Sequence, residues 1–295
     1  MGPLRTGPLG TGPLGTGPRV HESRAGLARR DGQVRAVTRL LPDEVPVALS
    51  YQGTTQAVMM ASPADLEDFA VGFTLSEGIV AEIGQIESLD ILHHDQGIEA
   101  QMWLAGDRAD ALSARRRAMV GPVGCGLCGI DSLEEACRAL PVVPDAALRF
   151  TEAEIGGATE ALRDHQPLHD LSRGLHAAGL MLPGQGIVLA REDVGRHNAL
   201  DKLIGAMARR GLDGRGGAVV LTSRVSMEMV QKTAMAGVPM IIAVSAPTAY
   251  AARLAEEAGI TLAAFARGGA YDLYANAGRL GAARPGPEGE HTDVA

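Results

Sequence analysis

The chain has 295 residues, 46% hydrophobic and 21% charged, which is ordinary for a globular protein with one large domain or two. A net charge of −8 argues against a nucleic-acid binder, no run of about 18 apolar residues is present to span a membrane, and the N-terminus lacks an apolar core of signal-peptide type. Three cysteines make no disulfide framework, which fits a reducing cytoplasm.

Residues 2–18 repeat a five-residue Gly-Pro-Leu unit with too little apolar surface to order itself, and the arginine-bearing stretch after it reads as the same tail. The expected division is therefore a disordered tail at 1–37, a small α+β domain at 38–145, an α/β domain at 146–283 and a second disordered tail at 284–295. The small domain opens with two strands flanking Gln52-Gly53, the pattern of a hairpin. Ser62-Pro63-Ala64-Asp65 then predicts a helix with serine at N-cap and proline at N1. Leu66, Phe69, Ala70 and Phe73 form its apolar face and Gly78 ends it. Two further strands, about 86–92 and 98–104, flank His94-Asp95-Gln96-Gly97.

Arg115, Arg116 and Arg117 lead into Gly124-Cys125-Gly126-Leu127-Cys128-Gly129, two thiols enclosed by glycines. Free cysteine is usually a buried small hydrophobe. A glycine-bounded pair is hard to bury that way and suits thiols approached by a large partner. Cys137 falls instead on a helical stripe with Leu133, Ala136 and Leu140, and reads as core. Thr151 to Glu154 is a capping box for the next helix.

In the second domain, Ile187 to Ala190 reads as a strand that runs through Glu192-Asp193-Val194-Gly195-Arg196-His197-Asn198 into a helix with Leu200, Leu203, Ile204 and Met207 on its apolar face. Asp193, His197 and Asp201 are spaced by four, so they can line one side of its first turns, and Asp193 can equally cap it. The chain has only two lysines, Lys202 and Lys232, among 27 basic residues. Each is either a remnant of arginine-biased codon usage or a residue placed where a compact ammonium works and a planar guanidinium does not. Three buried-type strands, 218–223, 240–245 and 260–265, alternate with helices at 225–236 and from Pro247 to Gly259. That order implies parallel strands with right-handed crossovers, which bind ligands off their carboxyl ends. Ser223-Arg224, Ser245 to Thr248 and Arg267-Gly268-Gly269 gather there beside helix N-termini, an edge suited to a phosphate-bearing ligand.

Four chemistries compete for the cysteine pair. A structural zinc site needs four ligands, and with no second CxxC the others would come from distant His176 and His197. A thioredoxin-type pair follows a strand, whereas this one follows a connection bearing glycine and proline. A zinc deaminase carries H-x-E, which is absent from the sequence. The fourth is a thiol that accepts and passes on sulfur.

GCGLCG, DVGRHNALDKLIG, SRVSMEMVQKTAMAGVPMIIAVSAPT, EVPVALSY and MMASPADLEDFAVGFTLSEGI together resemble the formate dehydrogenase accessory sulfurtransferases (the FdhD-type proteins) over roughly residues 40 to 280. The resemblance implies a cytidine-deaminase-like three-layer α/β/α core with a smaller N-terminal α+β domain. It also implies a cytoplasmic homodimer that carries sulfur from a cysteine desulfurase to the molybdenum (or tungsten) bis-pterin guanine dinucleotide cofactor, bound as substrate, for formate dehydrogenase. Cys125 would bear the persulfide with Cys128 as its companion, and Phe265, Ala266, Arg267, Gly268, Gly269 and Ala270 would contact the cofactor, with no metal of the protein's own. The alternative is a cofactor-binding chaperone that transfers no sulfur. One departure from the family stands out: Ser172-Arg173-Gly174-Leu175 precedes His176-Ala177-Ala178 where a Thr-Gly-Gly-type stretch is usual.

Overall fold

Strands β1 (His21–Arg30) and β2 (Gln33–Pro42) form an antiparallel ribbon that begins inside the stretch expected to be tail and runs beyond it to Pro42. A computed structural model of the chain describes residues 19–110, 112, 140–144 and 148–280. The rest of the 1–37 tail, the 284–295 tail, the arginine cluster and all three cysteines lie outside the described residues. What orders the ribbon is Asp31-Gly32: both residues have positive φ (51° and 75°), as a two-residue I′ hairpin turn demands. Its root is tied down, with His21 Nε2 3.0 Å from the Leu168 carbonyl oxygen and 3.2 Å from Ser172 Oγ.

Strands β3 (Val45–Tyr51) and β4 (Thr54–Ala61) turn at Gln52-Gly53 as expected. They are followed by helix α1 (Leu66–Ser76) and strands β5 (Ile86–His94) and β6 (Gly97–Leu104). The four strands make a sheet in the order β4-β3-β6-β5, with β3 and β6 parallel. Val47, Leu49, Tyr51 and Met102 on one face bury Phe69 and Ala70 of α1. The helix begins three residues later than Pro63 suggests, because Ser62 is engaged elsewhere: its amide donates to Asp193 Oδ2 and its hydroxyl accepts from the Val194 amide.

Short helices α2 (Glu152–Gly156), α3 (Ala158–Arg163) and α4 (Pro167–Ser172) precede an antiparallel pair, β7 (His176–Leu182) and β8 (Gly186–Asp193). The chain then runs through α5 (Arg196–Arg210), β9 (Ala218–Leu221), α6 (Met227–Met235), β10 (Met240–Ala243), α7 (Ala249–Glu257), β11 (Thr261–Arg267) and β12 (Ala270–Ala275). The six strands order as β12-β11-β10-β9-β7-β8, and β9, β10 and β11 are parallel as read. Pro247 precedes the N-cap of α7 rather than opening it, because the Thr248 hydroxyl takes the capping bond from the Ala251 amide.

One face of this sheet packs on Leu200, Leu203, Val230 and Ala251 of α5, α6 and α7, and the other on Ile155, Ala158 and Leu162 of α2 and α3. The result is a three-layer α/β/α unit. The smaller sheet joins it through α1, which crosses α5 with backbone against backbone. A Cβ on Gly72 would lie 1.7 Å from the Asp201 carbonyl oxygen, and one on Gly205 would lie 1.8 Å from that of Asp68. Asp68, buried in α1, pairs with Arg191 of β8 (2.7 Å) and Arg209 of α5 (2.5 Å). Val143, placed by sequence in the small domain, packs in the core of the larger unit.

Candidate functional site

The parallel strands end at a cavity of about 800 Å³, whose wall includes Thr222 after β9, Val244 after β10 and Arg267 closing β11. The opposite wall is built by α3, α4 and the loop to β7. The capping box at Thr151 starts this wall: its hydroxyl accepts from the Glu154 amide, and Glu154 Oε2 accepts from the Thr151 amide. Leu162 then anchors α3 in the core while Thr159, Glu160 and Arg163 turn toward the cavity.

Two of those residues hold the turn between β11 and β12. Thr159 Oγ1 donates to the Ala266 carbonyl at 2.5 Å, and the Gly268 amide donates to Glu160 Oε1 at 2.7 Å. The second bond keeps the Glu160 carboxyl below the usual carboxylate range. Gly156 is pressed against the same turn, since a Cβ there would stand 2.3 Å from the Gly269 carbonyl oxygen. Of the six residues singled out in the sequence, only Arg267 lines the cavity. Phe265, at positive φ within a bulge, is exposed with its ring 6.2 Å from that of Tyr274; Ala266 is buried; Gly268 and Gly269 form the turn; and Ala270 begins β12.

Sequence reasoning missed most of the cavity's basic and amide groups, namely Arg163, Gln166, His169 and Arg173. The Arg173-Gly174 departure was the available signal, for Arg173, Gly174, Leu175 and His176 all line the cavity. Arg163 and Arg173 both pair with Asp170, whereas Arg267 meets no carboxylate among the described residues. Arg163 Nη1 and Gln166 Nε2 are buried N–H groups without a hydrogen-bond partner among the described residues. Unmet donors at a cavity wall invite an acceptor from a ligand. Burial, then the charge of Arg196, depresses the His176 pKa, so its imidazole is neutral at pH 7. His169 is fixed by Nδ1, 2.7 Å from the Leu175 carbonyl oxygen.

The junction between β8 and α5 serves a different purpose. Asp193, His197 and Asp201 do not face one site. Asp193 is fully buried: Oδ1 accepts from the Gly195 amide and Asn198 Nδ2, and Oδ2 lies 2.6 Å from Lys202 Nζ. Lys202 also donates to the Ser62 carbonyl at 2.9 Å. Asp201 turns the other way, accepting from Ser76 Oγ at 2.6 Å and pairing at 3.0 Å with Lys232, which itself reaches Glu77 at 2.7 Å. Burial pushes the Asp201 pKa up to about 6 even with Lys232 beside it. His197 sits 3.7 Å from Glu228, and burial followed by Arg196 lowers its pKa to about 4. Both lysines thus clamp α1 and its flanks to α5 and α6, a task in which three donors on a point charge serve better than a planar fork.

Cys125 and Cys128 lie outside the described residues; their segment is bounded by Leu112, in the core of the smaller sheet, and Leu140, packed on that of the larger. Among the described residues no three His, Cys, Asp or Glu side chains are placed to hold a metal ion, and no helix is long and apolar enough to cross a membrane.

These features define an α/β protein with an arginine-lined cavity at the carboxyl edge of its parallel strands. The chain belongs to the FdhD/NarQ family, whose model matches residues 42–281. It is 49% identical over 256 residues to the sulfur carrier protein FdhD of Agrobacterium fabrum, covering 87% of this chain and 94% of that one. It is 51% identical over 254 residues to the protein of that name from Brucella abortus, covering 86% and 94%. The fold matches the crystal structure of a protein from Desulfotalea psychrophila described as a formate dehydrogenase accessory protein, with a TM-score of 0.70, 24% identity, and coverage of 89% of this chain and 100% of that one.

Proposed function

We propose that this protein is a sulfur carrier serving formate dehydrogenase, with Cys125 as the sulfur-bearing residue. The observation that carries the reading is identity near one half, over most of both chains, with proteins named sulfur carriers. Two of the chain's three thiols are concentrated in the Gly124–Gly129 stretch. In this reading the Cys125 thiolate attacks the terminal sulfur of a persulfide on a cysteine desulfurase. The old S–S bond breaks, the donor thiolate leaves, and Cys125 keeps the sulfur as its own persulfide. Cys128 assists by exchange.

The acceptor is the molybdenum or tungsten bis-pterin guanine dinucleotide cofactor, a substrate rather than a resident group. The cavity supports this assignment: its volume of about 800 Å³ is of ligand size. Arg267, Arg163 and Arg173 suit phosphates, and the donor on Gln166 suits a carbonyl or ring acceptor. The protein works in this reading as a cytoplasmic homodimer. Incubation with a cysteine desulfurase and cysteine should add one or more reductant-labile sulfur atoms, mapped by mass spectrometry to the peptide holding Cys125 and Cys128. Sulfur found only on Cys137, or none at all, would refute the carrier reading.

A further inference from the structure

The β1–β2 ribbon lies outside the stretch matched by the family model, which starts where β2 ends. Its register sorts its side chains onto two unlike faces. Ala25, Leu27, Val34, Ala36 and Leu40 share one face, and Leu27, Val34 and Leu40 are 75%, 51% and 43% exposed. Arg24, Arg30, Arg35 and Arg39 share the other with Ala28, Val37 and Leu41, the last 44% exposed. An isolated two-stranded ribbon is marginal in water, and an exposed apolar face on one calls for a covering surface. Residues 19–42 hold six arginines against Glu22 and Asp31, a net of +4, which leaves −12 on the remainder of a chain of net −8.

The same chain carries a matching surface. The face of the four-stranded sheet turned away from α1 presents Val58, Met60, Leu92 and Trp103, exposed by 56%, 47%, 38% and 45%. Asp90 and Glu99 lie on that face among them. Apolar side chains with Asp90 and Glu99 between them, Glu99 3.4 Å from His94, complement an apolar ribbon face that carries Arg29 and is backed by four more arginines. We propose that the ribbon is an exchange arm: its apolar face packs on the outer face of the four-stranded sheet of a second copy of this chain. Exchange is reciprocal, so the contact closes as a two-fold dimer. The inference rests on the homodimer named above and gives it a surface. The arm's root, where His21 reaches Leu168 and Ser172, adjoins α4, whose His169 lines the cavity, so dimer formation and the cavity rim share one support.

The test measures the mass of the full chain in solution by light scattering, for three proteins: wild type, Leu27→Asp/Val34→Asp/Leu40→Asp and Val58→Asp/Met60→Asp. All five positions are surface-exposed, and circular dichroism checks that the fold is kept. The wild type should have twice the chain mass and both variants half of that. Mixing the two variants should not restore the dimer in full, since each pair of contacts then lacks one arm and one receiving face. A monomeric wild type overturns both the arm and the homodimer. A dimer that survives the arm substitutions overturns the arm alone, and one that survives only Val58→Asp/Met60→Asp overturns the sheet face as its seat.

Discussion

Replacing Gly72 by alanine puts a methyl group where α1 and α5 touch. The new Cβ would stand 1.7 Å from the Asp201 carbonyl oxygen, 2.6 Å from its carbonyl carbon and 2.8 Å from the Gly205 nitrogen. All three are helix backbone, so no rotamer change relieves the contact. A normal nonbonded separation is about 3.5 Å, so the helices must part by roughly 1.5–2 Å. That movement also stretches the 2.6 Å bond from Ser76 to Asp201 and the charged contacts of Asp68 with Arg191 and Arg209. Overpacking costs about 1–3 kcal/mol and loosening a buried charged pair adds to it, while the better helix propensity of alanine returns about 1 kcal/mol. The expected net loss is about 3 kcal/mol or more, a large share of a domain's total stability. Urea unfolding followed by circular dichroism reads it as a lower midpoint at unchanged slope. Gly84→Ala, where an added Cβ meets nothing within 4 Å, is the control. A Gly72→Ala protein as stable as wild type would mean that propensity governs and that the helices do not approach as closely as described.

Arg267→Ala should weaken binding of guanosine diphosphate, a fragment of the proposed cofactor substrate, by roughly ten- to a hundredfold, the equivalent of about 1.5–3 kcal/mol for a charge-assisted bond. The loss should shrink at high salt, and unchanged affinity in calorimetric titration would move the nucleotide away from this edge. A pH comparison separates two titratable groups of α5, half-buried His197 and buried Asp201. His197 is held near 4, below its ordinary 6.5, so the unfolded chain binds the extra proton and this group favours the fold increasingly as pH rises through that window. Asp201 is raised to about 6 from 3.8, so the folded chain binds the extra proton, and its contribution is present at acid pH and lost as pH rises toward 6. On acidification from about pH 6.5 to about 4.5, His197→Gln should therefore lose less stability than wild type, and Asp201→Asn should lose more. Urea midpoints at the two pH values decide it, and variants that keep the wild-type difference would show that neither group titrates as assigned.

The β9 to β11 crossover unit was legible because β9 and β10 are short, wholly apolar runs and Gly237 and Gly259, both at positive φ, close its helices where read. The hairpin at Gln52-Gly53 was legible for a similar reason, since its turn chemistry is local. The β1–β2 ribbon had an equally good turn in Asp31-Gly32, but its arginines and an adjoining repeat masked the alternation. Non-local facts were beyond reach. No periodicity shows that Gly72 and Gly205 meet, or that Asp193 and Asp201 serve different lysines on opposite sides of one helix. At the cavity, the strand ends point to the edge where it lies and to Arg267 in its wall. The facing wall comes from two short helices and the loop to β7, whose sequence signals a helix start and nothing about what the helix faces.

Both lysines are interior, Lys202 fully so and Lys232 at 6% exposure. The surface cations of the folded chain are accordingly guanidinium groups, and its two ε-amines are hidden from acylating reagents and from lysine-directed proteases. In a natively folded sample, then, neither amine reacts until α1, α5 and α6 separate. Acylation of Lys232 becomes a clock for the opening of the seam between the two sheets, while acylation of Lys202 reports the release of the Asp193 hub, and the two can be timed independently in one mass spectrum.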